Sequence, residues 1–477
     1  MTRFGDHLYV AGGRCASDGT ARLTVVNPAT EQPLGRAAEG TAGDVDRAVT
    51  AARAALPDWS GRPGEERAAL MEALAELVTG RAEEIAALVT AENGMPLAFS
   101  ARFNPQALAH QLRYFAGLAR TTPVESRRTG HAGSVLVRRE AAGVAGLVVP
   151  WNYPLALIGM KLGPALAAGC TVVLKPAPET PFDALLLAEL ASEAGLPPGV
   201  FNVVTGGAAT GRALVAHPGV GKVAFTGSTA AGRAIAKACA ERLVPVTLEL
   251  GGKSAAVVLA DADPAAVAAG LGFLGFANAG QSCYLNSRVL VPRRRYAEFT
   301  EVLRGVAEGF RLGDPTAPET TMGPLVTARQ RERVAARVEE AVAEGARLVT
   351  GGRPPKEQPT GWFYEPTVLA GVTPDMAVFR EEVFGPVVAV VPYDGEDEAV
   401  ALANDSRYGL AGSVWTADPE HGLELARRVE TGSIGVNGWA MDTVAPFGGR
   451  KDSGLGYENG PEGLDAYVRL KSVVLPG

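Results

Sequence analysis

Cys283 stands in Gly280-Gln281-Ser282-Cys283, and Glu249 in Leu248-Glu249-Leu250-Gly251-Gly252-Lys253. A thiol and a carboxylate, each framed by small residues, are what covalent catalysis through a thioester needs. The thiolate attacks a carbonyl carbon, and a separate base activates the water that releases the acyl group. The plainer alternative for a lone cysteine is a packed, inert thiol.

A third candidate is the loop Gly227-Ser228-Thr229-Ala230-Ala231-Gly232, which matches half of a nucleotide-triphosphate loop. Arg233 and Ala234 follow it where a lysine and a hydroxyl residue are required, so triphosphate chemistry is excluded. A strand ending at Thr226 with a helix opening beyond it still aims backbone amides at an anion. Lys175 closes the apolar run Thr171-Val172-Val173-Leu174, where a charge is unexpected unless solvated or bound to something.

These residues need a scaffold, and the chain is long enough to build one. At 477 residues it allows two or three domains, and 47% hydrophobic with 20% charged residues describes a globular protein. The net charge of −7 argues against a nucleic-acid surface. Only 8 of the 45 basic residues are lysine, so Lys161, Lys175 and Lys253 stand out as more than filler. The four cysteines form no C-x-x-C pair and the five histidines no metal-ligand spacing, so neither a disulfide framework nor a metal site is expected. The N-terminal residues lack the apolar run of a signal peptide, and a cytoplasmic location is expected. Residues 141–160 and 264–287 carry no charge, but Pro, Asn, Gly and Ala interrupt them. They read as interior segments, not membrane spans.

Residues 44–56 and 65–92 read as amphipathic helices. From residue 144 to 248 short apolar strands alternate with helices: strands at 144–149, 171–174, 201–204, 222–225 and 246–248. That order predicts an α/β fold with a parallel, doubly wound sheet, whose strand ends bind ligands. A second alternating series runs from 255 to about 437. A hinge near Leu250-Gly251-Gly252 would put Glu249 and Cys283 on opposite walls of one cleft. The runs 133–140 and 466–475 fit neither series, and exposed strands this apolar need a partner.

With Pro150-Trp151-Asn152-Tyr153-Pro154, Leu174-Lys175-Pro176-Ala177, Phe225-Thr226-Gly227-Ser228-Thr229 and Glu381-Glu382-Val383-Phe384-Gly385-Pro386 added, the chain resembles the aldehyde dehydrogenase superfamily from about Asn27 to Gly449. The resemblance implies a Rossmann-type dinucleotide-binding domain (1–121 and 142–250), an α/β catalytic domain (251–450) and a β oligomerisation arm (122–141 and 466–477). It also implies a homodimer or homotetramer. Cys283 would be the nucleophile, Glu249 the base and Asn152 an oxyanion donor beside the Cys283 N–H, a role worth roughly 3–4 kcal/mol per donor. Trp151, Lys175, Gly227, Ser228, Gly232, Leu250, Glu382 and Phe384 would hold the cofactor.

That cofactor is expected to be NAD. NAD-preferring relatives often carry a Glu where Pro178 stands here, so NADP stays open. Tyr153, Leu157, Met160, Trp439 and Phe447 would line the substrate tunnel, and none is basic, which points to an apolar or aromatic aldehyde. Glu249 favours hydrolysis to the acid. The alternatives are a relative that passes the acyl group to coenzyme A and a catalytically silent structural relative.

Overall fold

A computed structural model describes residues 6–131 and 133–475. Among them two sheets with parallel centres carry the molecule. The first has eight strands, in the order Gly13–Ala16, His7–Val10, Phe201–Val203, Thr171–Lys175, Val144–Val148, Val220–Thr226, Val246–Glu249 and Gly454–Leu455. The five strands from Phe201–Val203 to Val246–Glu249 run parallel. All five positions of Val144–Val148 and of Thr171–Lys175 are buried, as strands covered by helices on both faces must be. The second sheet has seven strands: Arg347–Thr350, Thr367–Ala370, Val387–Tyr393, Arg288–Pro292, Ala255–Val258, Gly412–Trp415 and Gly435–Val436. The α/β, doubly wound class read from the alternation is therefore the observed one.

Chain order in the first sheet reverses between Val144–Val148 and Val220–Thr226, which are parallel neighbours although 71 residues of chain lie between them. Open parallel sheets bind ligands at the carboxyl ends of strands flanking such a reversal. The segments that leave those two ends are Pro150-Trp151-Asn152 and Gly227-Ser228. Glu249 is the last residue of the first sheet and Ala255 the first of the second, so residues 250–254 are the crossing between them.

Two details differ from the sequence expectation. The helix expected over 65–92 is two helices, Gly64–Gly80 and Ala82–Asn93. The break falls at Arg81 (φ −109°, ψ 17°), directly after Gly80, a poor helix former, and the Arg81 guanidinium turns to Glu84 at 3.1 Å. The short strands His7–Val10 and Gly13–Ala16, which extend the first sheet antiparallel, carried no readable alternation. The runs left outside both series form their own antiparallel sheet, Val468–Leu475, Gly133–Ala141 and Glu125–Gly130, with Leu470 and Val474 exposed.

Candidate active site

The crossing segment brings the reactive groups together. Backbone pairing fixes Glu249 on both sides, against Thr226 in parallel and Gly454 in antiparallel register. The Gly227 N–H donates to the Glu249 carbonyl at 3.0 Å, and the Leu250 N–H to the Ser453 carbonyl at 2.9 Å. A Cβ on Gly251 would lie 2.3 Å from Glu382 Oε2, and one on Gly252 2.3 Å from the Cys283 carbonyl oxygen. Only residues without side chains let these three segments touch. The Gly252 N–H donates to Glu382 Oε1 at 3.1 Å.

Cys283 follows a strained loop. Asn278 and Ala279 both take left-handed backbone angles (φ 51° and 53°), which non-glycine residues adopt only when their surroundings force it. Here the force comes from hydrogen bonds. Asn278 Nδ2 donates to the Asn152 carbonyl (2.8 Å), Asn152 Nδ2 to the Gln281 carbonyl (3.0 Å), and Gln281 Nε2 to the Asn278 carbonyl (3.0 Å). Asn152 is thus bonded to the loop that leads into Cys283, and one of its two amide hydrogens remains free to donate.

Burial pushes the Cys283 thiol far above its usual range, and the Glu382 and Glu249 carboxyls push it further. Burial likewise raises Glu249, which is 2% exposed and has no hydrogen-bond partner on either carboxyl oxygen among the described residues. The neighbouring Glu458 raises it further, and Lys161 opposes the rise. Those two form a buried ion pair at 2.7 Å, and Lys161 Nζ also donates to Thr226 Oγ1 at 2.6 Å. Burial brings Glu382 up to about 7.

The other candidate residues lie around this centre. Lys175 Nζ donates to the Pro176 and Gly206 carbonyls at 2.6 and 3.0 Å, and burial lowers it to about 8. An ammonium has three donors, so one remains for a ligand oxygen. Ser228 caps the helix Thr229–Glu241 by accepting from the Ala231 N–H, which leaves its own O–H free to donate. Gly232 and Leu250 pack together, and a Cβ on Gly232 would meet Leu250 Cδ2 at 2.5 Å. Phe384, with a left-handed φ of 58°, sets its ring edge-on to Trp151 at 5.5 Å, and Gln330 holds its carbonyl at 2.7 Å. These groups fit a dinucleotide: amides and a hydroxyl at a helix start, a spare ammonium proton, and two aromatic rings set edge-on to each other.

Tyr153, Leu157, Met160, Trp439 and Phe447 fall into one apolar cluster that includes Cys283. Sequence reasoning missed Phe99, Phe103, Phe273 and Tyr284 of the same wall, with Phe99 and Phe103 rings 4.3 Å apart and Tyr284 and Trp439 rings 4.8 Å apart. Phe99 and Phe103 are spaced i,i+4 on the helix Leu97–Phe103, a pattern that places both on one face. Tyr153 Oη lies 2.7 Å from Ser282 Oγ and 3.2 Å from Tyr284 Oη, a small group of hydroxyls flanking Cys283. Sequence reasoning also missed Glu458, while the scarcity of lysine had marked Lys161. Among the described residues no cluster of side chains could hold a metal ion.

The family model "Aldehyde dehydrogenase family" matches residues 15–473. The chain belongs to that family. It is 46% identical over 480 residues, covering all of both chains, to a geranial dehydrogenase of Castellaniella defragrans. It is 42% identical to a 3-succinoylsemialdehyde-pyridine dehydrogenase of a Pseudomonas species, over 98% of each chain. Among solved structures it superposes with a TM-score of 0.97 on a Mycobacterium tuberculosis aldehyde dehydrogenase in complex with NAD+, at 44% identity over 99% and 98% of the two chains. It superposes equally well, at 0.97 and 39% identity over 99% and 97%, on a mutant aldehyde dehydrogenase C of Pseudomonas syringae complexed with NAD+ and octanal.

The Lys161–Glu458 pair yields a test with opposite signs. With Glu249 as the water-activating base, turnover rises with pH as its raised carboxyl loses its proton. Glu458→Gln removes a cause of that rise and should move the acidic limb of the kcat–pH profile down. Lys161→Met removes the opposing charge and should move it up. Limbs that stay fixed, or move together, would separate this pair from Glu249.

Proposed function

We propose that this chain oxidises an apolar or aromatic aldehyde to its carboxylic acid, with Cys283, Glu249 and Asn152 in the reacting roles. NAD-dependent aldehyde oxidation is the activity of the family to which it belongs. The observation that carries the hydrolytic reading is the buried, unpartnered Glu249 carboxylate, close enough to Cys283 to raise its thiol.

Cys283 must first give up its proton to water, since burial keeps the resting thiol neutral. Its sulfur then adds to the carbonyl carbon, and the oxyanion of the hemithioacetal accepts from the Asn152 amide and the Cys283 N–H. NAD, when bound, would be held by Lys175, Ser228, Glu382 and Phe384 and would accept the hydride that turns the hemithioacetal into a thioester. Glu249 takes a proton from water, which attacks the thioester carbonyl and frees the acid and the thiol. The apolar wall around Cys283 supports the substrate class, as do the apolar aldehydes named for two of its relatives.

The finer features are proposals of the same kind. The sheet Val468–Leu475, Gly133–Ala141 and Glu125–Gly130, with its exposed Leu470 and Val474, supports pairing with another copy in a homodimer or homotetramer. The four free cysteines support a reducing, cytoplasmic compartment. Among the described residues no helix is long and apolar enough to cross a membrane.

Three measurements test these points. Glu249→Gln should release about one equivalent of reduced cofactor per site in a burst, then stall as a thioester on Cys283 visible by intact mass. Steady turnover should fall by roughly 10²–10⁴-fold, and wild-type turnover without an adduct would assign the water to another base. Deleting residues 466–477 should lower the sedimenting mass of the native assembly, and a monomeric full chain would end the arm proposal. Pro178 neither repels nor attracts a 2′-phosphate, so kcat/KM should lean to NAD only modestly. A preference for NADP above roughly a hundredfold, about 2.7 kcal/mol, would contradict it.

A further inference from the structure

We propose that an apolar cavity, lined in part by residues of the apolar cluster around Cys283, receives the far end of a long hydrocarbon tail on the aldehyde. The proposal rests on the apolar-aldehyde reading above and narrows it to long-chain substrates. The cavity has a volume of about 260 Å³.

It exists because of an unusual helix. Pro264–Phe276 contains no charged residue and is apolar on every side, a composition that belongs wholly inside a protein. One side does go inside, where Val267, Leu271 and Leu274 pack into the core of the second sheet. The other side, Ala269, Gly272, Phe273 and Phe276, follows i, i+3, i+4, i+7 spacing and lines the cavity. Small residues at 269 and 272, together with Ala277 and Ala279, leave the space unfilled.

Three observations point to the substrate's own tail as the occupant. First, Phe99, Phe273 and Ala277 line the cavity and also belong to the apolar cluster around Cys283, so these three side chains are the partition between them. Phe99 and Phe273 pack with ring centroids 6.1 Å apart, so a tail reaches the cavity only when one of these rings turns aside. Second, the lining holds no charged residue, and its polar members are Thr321 and Asn278. The Asn278 amide is committed to the Asn152 carbonyl, so an ionised tail finds no partner there. Third, a 150 Å³ apolar cavity takes a benzene, and in proportion this one takes about ten carbons.

The test is kcat/KM with NAD over linear aldehydes from propanal to dodecanal, for the native chain and Gly272→Leu. A Cβ at 272 meets Val306 Cγ1 at 3.9 Å, an ordinary contact, so the leucine fills the cavity without a clash at its root. The native enzyme should gain roughly two- to fourfold per methylene up to about ten carbons. Gly272→Leu should lose about tenfold or more on decanal while staying within twofold on propanal, with NAD binding and the thermal midpoint unchanged. Ala269→Phe, nearer the rim, should repeat the pattern and guards against a folding defect in the first variant. Undiminished decanal turnover in both variants overturns the subsite alone. Equal losses on propanal and decanal also overturn it, since the cavity would then act on the catalytic loop and not on the tail. A native enzyme that prefers charged or amino-aldehydes overturns the apolar reading and the subsite together.

Discussion

Everything reactive in this molecule hangs on Gly251-Gly252, where the chain passes from one sheet to the other. Side chains there would collide with the Glu382 carboxylate and with the Cys283 backbone. The absence of those side chains sets how closely three segments from distant parts of the sequence approach. Glu249 ends the strand before the crossing, Cys283 rests against it, and Glu382 accepts its N–H. A rigid seam of backbone contacts positions a base better than a mobile loop would, because productive geometry tolerates only small displacements.

The same closeness creates an electrostatic problem. Two carboxyl groups and a thiol lie in one buried region, and burial drives all three toward their neutral forms; the Glu382 and Glu249 carboxyls add to the rise of the Cys283 thiol, and Glu458 to that of Glu249. Lys161 is the compensating charge beside Glu249, but it is already paired with Glu458 and bonded to Thr226. The result is a carboxyl raised above its ordinary range and not locked in a salt bridge of its own. That suits the proposed water-activating role, since a carboxylate held by a strong salt bridge would be too weak a base for it.

Much of this was legible in the sequence because the reactive residues sit in short, locally distinctive frames. Cys283, Glu249, Asn152 and Lys175 each lie at a strand end or in a Gly- or Pro-marked turn, and the five parallel strands of the first sheet were read to within two residues at each end. What stayed hidden depends on contacts between distant segments. Glu458 lies between Tyr457 and Asn459 with nothing local to mark it, and only the pairing of Gly454–Leu455 with Val246–Glu249 carries that part of the chain toward Glu249. Phe99 and Phe103 looked like ordinary helix residues until the fold turned their helix toward Tyr153. The break at Arg81 was missed because the apolar periodicity continues across it.

Asn152 shows how tightly structure and chemistry are joined here. Its carbonyl accepts from Asn278, and its amide donates to the carbonyl of Gln281, so it braces both ends of the left-handed turn that precedes Cys283. The strain at Asn278 and Ala279 persists only because such bonds hold it. In the proposed roles, an oxyanion donor that also braces the loop of Cys283 would not drift relative to the sulfur, because the same pair of hydrogen bonds sets both. Such a donor would be in place before the oxyanion forms, which is the condition under which a hydrogen bond stabilises the transition state instead of merely reorganising to meet it.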